Sequence, residues 1–342
     1  MENNSIKQNY AKNENEMKVY LTKFYNKEII NEKKIINKNY IIFETIGKGS
    51  FWTVKKVKRN LISKEGKLLD NNYYVFKKGQ LNKKNFFFDE ENNNNINNEK
   101  RIGLREFNLL KNICNQNIPR LFECIIDTKK NKIVFVMEFC DLGSLLKAND
   151  DNYEYNLNLM KFLYEKIFSV NENNKKIEFE KLNYENYKNF FEFVACEIFK
   201  QLINALFYLH INKKIAHLDI KPDNILFKSF DINEEKNNYI KLTDFSNSLK
   251  FNDLNEKINY LNGTPAFLPP ETEEQENFSP FKCDIFSLGA SIYSFLFNSL
   301  EFKNYKEKIK NINNIKLKNL LENSLNFDPN KRFDIKQLKN LL

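Results

Sequence analysis

The stretch His217-Leu218-Asp219-Ile220-Lys221-Pro222-Asp223-Asn224-Ile225-Leu226 decides how this chain is read. It uses one of only 2 histidines and one of 7 prolines in a 342-residue chain whose loops are filled with lysine, asparagine and isoleucine. Against that background a retained histidine, proline or glycine needs a reason. The spacing H-x-D-x-K-P-x-N supplies one, because it sets a carboxylate, an ammonium and an amide close together along one loop. Downstream follow Lys241-Leu242-Thr243-Asp244-Phe245-Ser246, after an apparent hairpin with an inserted tip, and Gly263-Thr264-Pro265-Ala266-Phe267-Leu268-Pro269-Pro270-Glu271. Asp284-Ile285-Phe286-Ser287-Leu288-Gly289 and Asp328-Pro329-Asn330-Lys331-Arg332 complete the series.

Upstream, Ile46-Gly47-Lys48-Gly49-Ser50-Phe51-Trp52-Thr53-Val54 lies between two predicted strands. Gly47 and Gly49 would let a hairpin backbone approach an anion and present N–H groups to it. A strand follows this loop rather than a helix, which excludes a dinucleotide-binding fingerprint. Tyr74-Val75-Phe76-Lys77 is a strand ending in lysine, a residue that more often faces solvent on an edge. A functional reading of Lys77 needs a carboxylate, and Glu106 in Arg105-Glu106-Phe107 offers one.

Strand patterns cover Tyr40–Ile46, Trp52–Val57, Tyr73–Lys77, Leu121–Asp127 and Lys132–Glu138. Helical periodicity predicts helices over Asn98–Ile113, Phe190–Ile211, Phe281–Asn298, Leu317–Leu325 and Asp334–Leu342. Strands thus dominate the first third and helices the rest, an α+β order. Residues 1–39 form a polar extension in which Met17, Tyr20, Leu21 and Phe24 have helical spacing, so a short helix or a loosely ordered segment is expected. Low-complexity insertions are placed near 60–72, 80–98 and 149–189.

The composition narrows the function classes. A hydrophobic fraction of 42% supplies a core. The longest apolar candidates, Ile133–Met137 and Ser287–Phe297, fall well short of the ~18–20 residues of a membrane span, so no membrane partner is expected. The start lacks the order of a signal peptide. The 5 cysteines form no C-x-x-C pair, which argues against a disulfide framework or zinc site and for a reducing compartment, cytoplasmic or nuclear. The formal charge of +9 raises nucleic acid as a partner. However, the basic residues are almost all lysines spread through every loop, with Arg59, Arg101, Arg105, Arg120 and Arg332 the only arginines. That is compositional drift rather than a shaped patch, and no nucleic-acid partner is expected.

With these motifs in order, the chain from about Tyr40 to Leu342 resembles a eukaryotic protein kinase. The resemblance implies a two-lobed fold: a small antiparallel-sheet N-lobe with one main helix (about 40–138) and a larger, mostly helical C-lobe (about 143–342). It implies ATP and Mg²⁺ as cofactors, a protein substrate and a monomeric enzyme. Ile46, Gly47, Lys48 and Gly49 would cover the phosphates, and Lys77, fixed by Glu106, would grip them. Adenine would lie between Val54, Val75 and Leu226, bonded to backbone at Glu138 and Cys140, with Met137 guarding the back of the pocket. Asp219 would accept the substrate hydroxyl's proton, Lys221 would stabilise the moving phosphoryl, and Asn224 and Asp244 would hold Mg²⁺. Leu110, Leu121, His217 and Phe245 would stack as an apolar column, Asp284 would brace the catalytic loop, and Glu271 would pair with Arg332.

Four departures from the family pattern carry expectations. Trp52 replaces the third loop glycine, predicting a stiffer loop. Ser246 replaces the glycine after Asp244-Phe245, predicting fewer backbone flips. Leu218 replaces the arginine that normally receives an activation-loop phosphate, predicting loss of that switch. The region after Phe281 is short. Lys221 and Thr264 resemble serine/threonine kinases, and Thr264 would bond both Asp219 and Lys221. Other stretches resemble the Wee group or the kinases that activate calmodulin-dependent kinases. The chain ends directly after its last predicted helix, so that second group's calmodulin-binding tail is not expected. A tyrosine-directed enzyme acting on another kinase and a catalytically silent scaffold are the alternatives.

Overall fold

The computed structural model describes residues 18–21, 28–30, 33–36, 40–49, 51–59, 72–80, 102–127, 131–148, 153–168, 181–229, 239–274 and 277–342. Most of the expected insertions, along with Met17, Phe24 and the start of the Asn98–Ile113 helix, lie outside these residues. The chain divides into two compact units, 1–114 with 119–139, and 115–118 with 140–342.

The first unit is built on strands β1 (Lys18–Leu21), β2 (Glu28–Ile30), β3 (Lys33–Ile36), β4 (Tyr40–Lys48), β5 (Thr53–Arg59) and β6 (Tyr73–Gln80), helix α1 (Ile102–Leu110), and strands β7 (Leu121–Asp127) and β8 (Lys132–Glu138). They form one sheet in the order β1-β7-β8-β6-β5-β4-β3-β2. The sheet is antiparallel apart from β1, which pairs parallel to β7. The helical spacing read around Tyr20 and Leu21 is therefore overturned: residues 18–21 are strand. The reason is tertiary, since Val19 and Tyr20 are good strand formers and β7 offers them an open edge.

The alternation of side chains along each strand sorts this sheet into two faces. Tyr40, Val57, Tyr74, Phe76, Ile125, Val134 and Val136 pack together on one of them. Val75, Lys77 and Gly79 take the opposite parity on β6, the face met by α1. Because β6 lies between β5 and β8, Lys77 is interior and only 7% exposed, contrary to the edge position most lysines on strands occupy. Helix α1 is shorter than the periodicity suggested, with Lys111–Ile113 in a terminal turn.

The second unit begins with short strands β9 (Gly143–Ser144), β10 (Leu146–Ala148) and β11 (Tyr153–Tyr155), then helices α2 (Leu157–Leu163) and α3 (Lys188–Phe207). After α3 the chain widens into a π-helical turn, Tyr208–Lys213, that stops at Lys214 with φ 54°. Strands β12 (Ile215–Ala216), β13 (Ile225–Phe227), β14 (Ile240–Leu242) and β15 (Leu249–Lys250) frame the quoted motif. Helices α4 (Glu271–Glu274), α5 (Pro280–Phe297), α6 (Tyr305–Lys310), α7 (Ile315–Ser324) and α8 (Ile335–Lys339) complete it. Helix α5 starts where its sequence says it should: Ser279 Oγ caps it by accepting from Lys282 N at 3.4 Å, and Pro280 fills the first position. It is buried on nearly every side, and a Cβ on Gly289 would come within 2.7 Å of Ser324 Cβ, which explains that glycine. Among the described residues no helix is long and apolar enough to cross a membrane.

Candidate active site

In the sheet unit, strand pairing lines up Gly47 with Val54, Val54 with Lys77, and Lys77 with Phe135. Directly opposed residues of antiparallel strands project to one face, so these share it. Val75 pairs with Met137 and has the same parity as Lys77. Ile46, Lys48 and Gly49 are exposed at the β4–β5 turn, which Gly49 N closes by donating to Trp52 O at 2.8 Å. From α1, Glu106 Oε1 accepts from Lys77 Nζ at 2.6 Å. Both side chains are buried, which makes this a charge-assisted bond that is costly to break. Glu138 closes the unit's last strand, its N–H donating to Arg120 O at 2.9 Å.

The second unit holds the remaining residues. Asp284 on α5 organises the loop that begins at His217. Its Oδ2 accepts from His217 N at 2.7 Å and its Oδ1 from Leu218 N at 2.7 Å, while His210 Nε2 lies 2.9 Å from Oδ2. Leu218 has φ 66°, a left-handed conformation that costs a non-glycine residue roughly 1–2 kcal/mol. The paired bonds to Asp284 offset that strain and aim the following residue, Asp219. Ser248 Oγ donates to His217 O at 2.9 Å.

His217 is fully buried, and burial is the main cause that holds its imidazole below the usual 6.5, against the opposing pull of Asp284, Asp219 and Asp244. The neutral ring donates from Nε2 to Thr243 O at 3.0 Å and accepts Asp219 N at Nδ1, 3.3 Å. Its ring meets Phe245 edge-on at 4.9 Å. These are packing and orienting roles. Leu110 and Leu121 are buried in the sheet unit.

Around Asp219 the polar groups converge. Lys221 Nζ stands 3.2 Å from Oδ2, and Thr264 Oγ1 donates to Oδ1 at 2.8 Å while accepting from Lys221 Nζ at 2.7 Å. Asn224 Nδ2 donates to Asp219 O at 2.8 Å and to Oδ2 at 3.3 Å, leaving the amide oxygen as its acceptor. Thr243 N donates to Asn224 O at 2.9 Å, which ties the residue before Asp244 to the backbone of Asn224 at the end of the β13–β14 hairpin. Among the described residues no group of three or more His, Cys, Asp or Glu side chains could hold a metal alone. An amide oxygen and a carboxylate are nevertheless the donors a hard cation takes when phosphates and water complete its shell, so the pair fits Mg²⁺. Leu226 lies in β13 opposite Ser144, and Cys140 is buried, its carbonyl accepting from Gly143 N at 3.4 Å.

The segment from Asp244 to Glu271 is tied down at both ends. Leu218, only 3% exposed, sits in an apolar cluster with Ala216, Phe251, Ile258, Phe278, Phe281 and Cys283. Ile258 and Phe278 exchange backbone bonds of 3.0 and 2.9 Å. At the far end Glu271 and Arg332 form a buried bidentate pair at 2.5 and 2.9 Å. Tyr153 OH donates to Asp223 Oδ2 at 2.7 Å and its ring meets Phe267 at 5.8 Å, bracing the turn at Pro222–Asn224 against the 265–267 turn.

Sequence reasoning passed over His210 and Tyr153, and it read Ser248 only as a residue that could be phosphorylated, missing its bond to His217 O. The rarity argument that singled out His217 applies equally to His210, the other histidine. Tyr153 and Ser248 carry no such signal.

A lysine–glutamate pair on a sheet and its helix, a loop carrying aspartate, lysine and asparagine, and a second aspartate at a hairpin end are the parts that define the protein kinases as a class. Residues 40–341 match the protein kinase domain family, and the chain belongs to it. Among curated relatives, the serine/threonine-protein kinase stk11 homolog of Dictyostelium discoideum is 28% identical over 319 residues, 89% of this chain and 44% of that protein. The calcium/calmodulin-dependent protein kinase kinase of Caenorhabditis elegans is 28% identical over 291 residues, 80% of this chain and 44% of that protein. The serine/threonine-protein kinase STK11 of Gallus gallus is 27% identical over 321 residues, 90% and 59% respectively. The chain thus spans about half the length of the curated relatives it matches.

Proposed function

We propose that this chain is a protein serine/threonine kinase that uses ATP with Mg²⁺. The observation that carries the reading is the bonded triangle of Asp219, Lys221 and Thr264. The names of the relatives, serine/threonine kinases among them, support it.

In this reading Asp219 accepts the proton of a serine or threonine hydroxyl. That oxygen bonds to the terminal phosphorus as the bond to the bridging oxygen of the leaving ADP breaks. Thr264 holds Oδ1 of Asp219, which fixes the carboxylate's rotation, and Lys221 offers positive charge to the phosphoryl oxygens as they move. Lys77, held by Glu106, meets the α- and β-phosphates, and the exposed turn at Ile46, Gly47, Lys48 and Gly49 covers them. Val54, Val75, Met137 and Leu226 contact the base, and backbone at Glu138 and Cys140 bonds its edge. Asn224 and Asp244 would hold Mg²⁺, which would supply charge neutralisation when bound. A monomer in the cytoplasm or nucleus, acting on a protein substrate, belongs to the same reading.

The test is purified protein with Mg-ATP and a mixed peptide library, run beside Asp219→Asn and followed by phosphoamino-acid analysis. Phosphoserine or phosphothreonine made by the wild type alone is the expected result. Phosphotyrosine alone would transfer the assignment to a tyrosine-directed enzyme, and nucleotide binding without transfer would make the chain a scaffold.

A further inference from the structure

Trp52 is the chain's single tryptophan, and it stands where the family's loop carries a third glycine. Its side chain does not stay in the loop. It is 5% exposed, 5.0 Å from the Phe135 ring and 4.8 Å from Phe51. Lys77 Nζ lies 4.9 Å from the centre of the Trp52 ring. One ammonium is therefore shared between a carboxylate oxygen at 2.6 Å and an aromatic face.

One glycine makes room for the ring, and a second lies in contact with it. A Cβ on Gly79, two residues beyond Lys77 on β6, would come within 2.8 and 2.9 Å of indole carbons and 2.6 Å of Phe51 Cε1. A Cβ on Gly103, one turn before Glu106 on α1, would lie 3.5 Å from the ring and 2.9 Å from Ile133. In a chain with only 8 glycines, two flank this one side chain, each on the element that carries a member of the ion pair. The indole Nε1 is buried without a hydrogen-bond partner among the described residues, so the ring contributes its face and its bulk. An aromatic face attracts a cation through its quadrupole, and more strongly where water is excluded.

We propose that Trp52 is a positioning residue for Lys77. It holds the ammonium between its own face and Glu106 in the place where nucleotide phosphates meet it, and it links the β4–β5 hairpin to β6 and α1. The stiffness expected of this loop then has a location, the start of β5. The proposal rests on the kinase reading of Lys77.

The experiment compares Trp52→Phe and Trp52→Leu with the wild type and Lys77→Met, all in the full chain. Both Trp52 variants keep apolar bulk, and only Trp52→Phe keeps a π face. Mg-ADP affinity is measured by calorimetry, alongside KM for Mg-ATP, kcat and the thermal midpoint. Loss of the aromatic face in Trp52→Leu is expected to weaken nucleotide binding about tenfold, and Trp52→Phe about threefold or less, at similar thermal midpoints. The emission of the single indole is expected to change on adding Mg-ADP, and not to change in Lys77→Met. If Lys77→Met weakens nucleotide binding while both Trp52 variants stay within about twofold of the wild type, the positioning role is overturned and the kinase reading stands. Equal weakening in both variants, in step with a fall in thermal midpoint, would overturn it too and make the ring a filler. If Lys77→Met binds nucleotide like the wild type, the assignment of Lys77 fails and takes this proposal with it.

Discussion

Thr264 and His217 show how much single side chains decide here. Thr264 Oγ1 is both donor to Asp219 and acceptor from Lys221, and only a hydroxyl can be both. Thr264→Ser is therefore expected to keep activity, while Thr264→Ala loses about tenfold or more in kcat with nucleotide binding unchanged, as measured by steady-state kinetics. His217 makes a pH prediction. Its folded-state pKa is depressed by burial, so its contribution to stability is complete above the usual 6.5 and is lost as pH falls below that. Urea unfolding of the wild type should show stability falling between pH 6.5 and more acidic values. In His217→Phe, which forfeits the bonds to Thr243 and Asp219, the deficit relative to wild type should narrow as the pH falls. A deficit constant across that range would contradict the neutral buried imidazole.

At the scale of elements, the segment from Asp244 to Glu271 is held by two different kinds of contact. Glu271 and Arg332 are both buried, so removing one partner leaves the other charged and unsolvated. Arg332→Met is expected to destabilise the protein by about 3–5 kcal/mol in chemical denaturation, and Arg332→Lys by less, since lysine keeps the positive charge while losing the forked contact. The other end is held by apolar packing around Leu218, the residue that stands where the family pattern has the phosphate-receiving arginine. Phosphatase treatment should therefore change specific activity by less than about twofold, because the segment's order does not depend on a phosphate–arginine contact. Leu218→Ala should reduce activity by loosening this cluster, a result readable as increased amide hydrogen exchange over Leu249–Leu261.

Across the whole molecule, chemistry is unevenly accessible. None of the cysteines is in a disulfide, and Cys124, Cys140 and Cys283 are buried while Cys114 is exposed. Burial pushes the Cys124 and Cys283 thiols far up and that of Cys196 up to about 11, so few thiolates exist at neutral pH at these three. Maleimide labelling at neutral pH followed by peptide mapping should find Cys114 modified first and Cys124 last. The division into a sheet unit and a helical unit follows the order of strand and helix patterns along the chain. Its detail does not: β1 lies on a sheet edge in a stretch whose spacing suggested a helix, because local pattern cannot register an edge waiting in β7.

Residue type and near neighbours were enough to read the family-defining loop, the order of the motifs and most element cores, as in the apolar run within Lys132–Glu138 and the helical periodicity of Phe190–Ile211. They also named Asp219, Lys221, Asn224, Asp244, Lys77 and Glu106. That Lys77 is interior follows from the strand order alone, since an edge lysine and a central one look alike in a strand of this composition. Chain packing likewise brought His210 to Asp284, and Tyr153 to Asp223, contacts between residues far apart in the chain. The same holds for Trp52. A tryptophan in a glycine loop reads as a local substitution until Gly79, from a separate strand, is seen to leave the space that its ring fills.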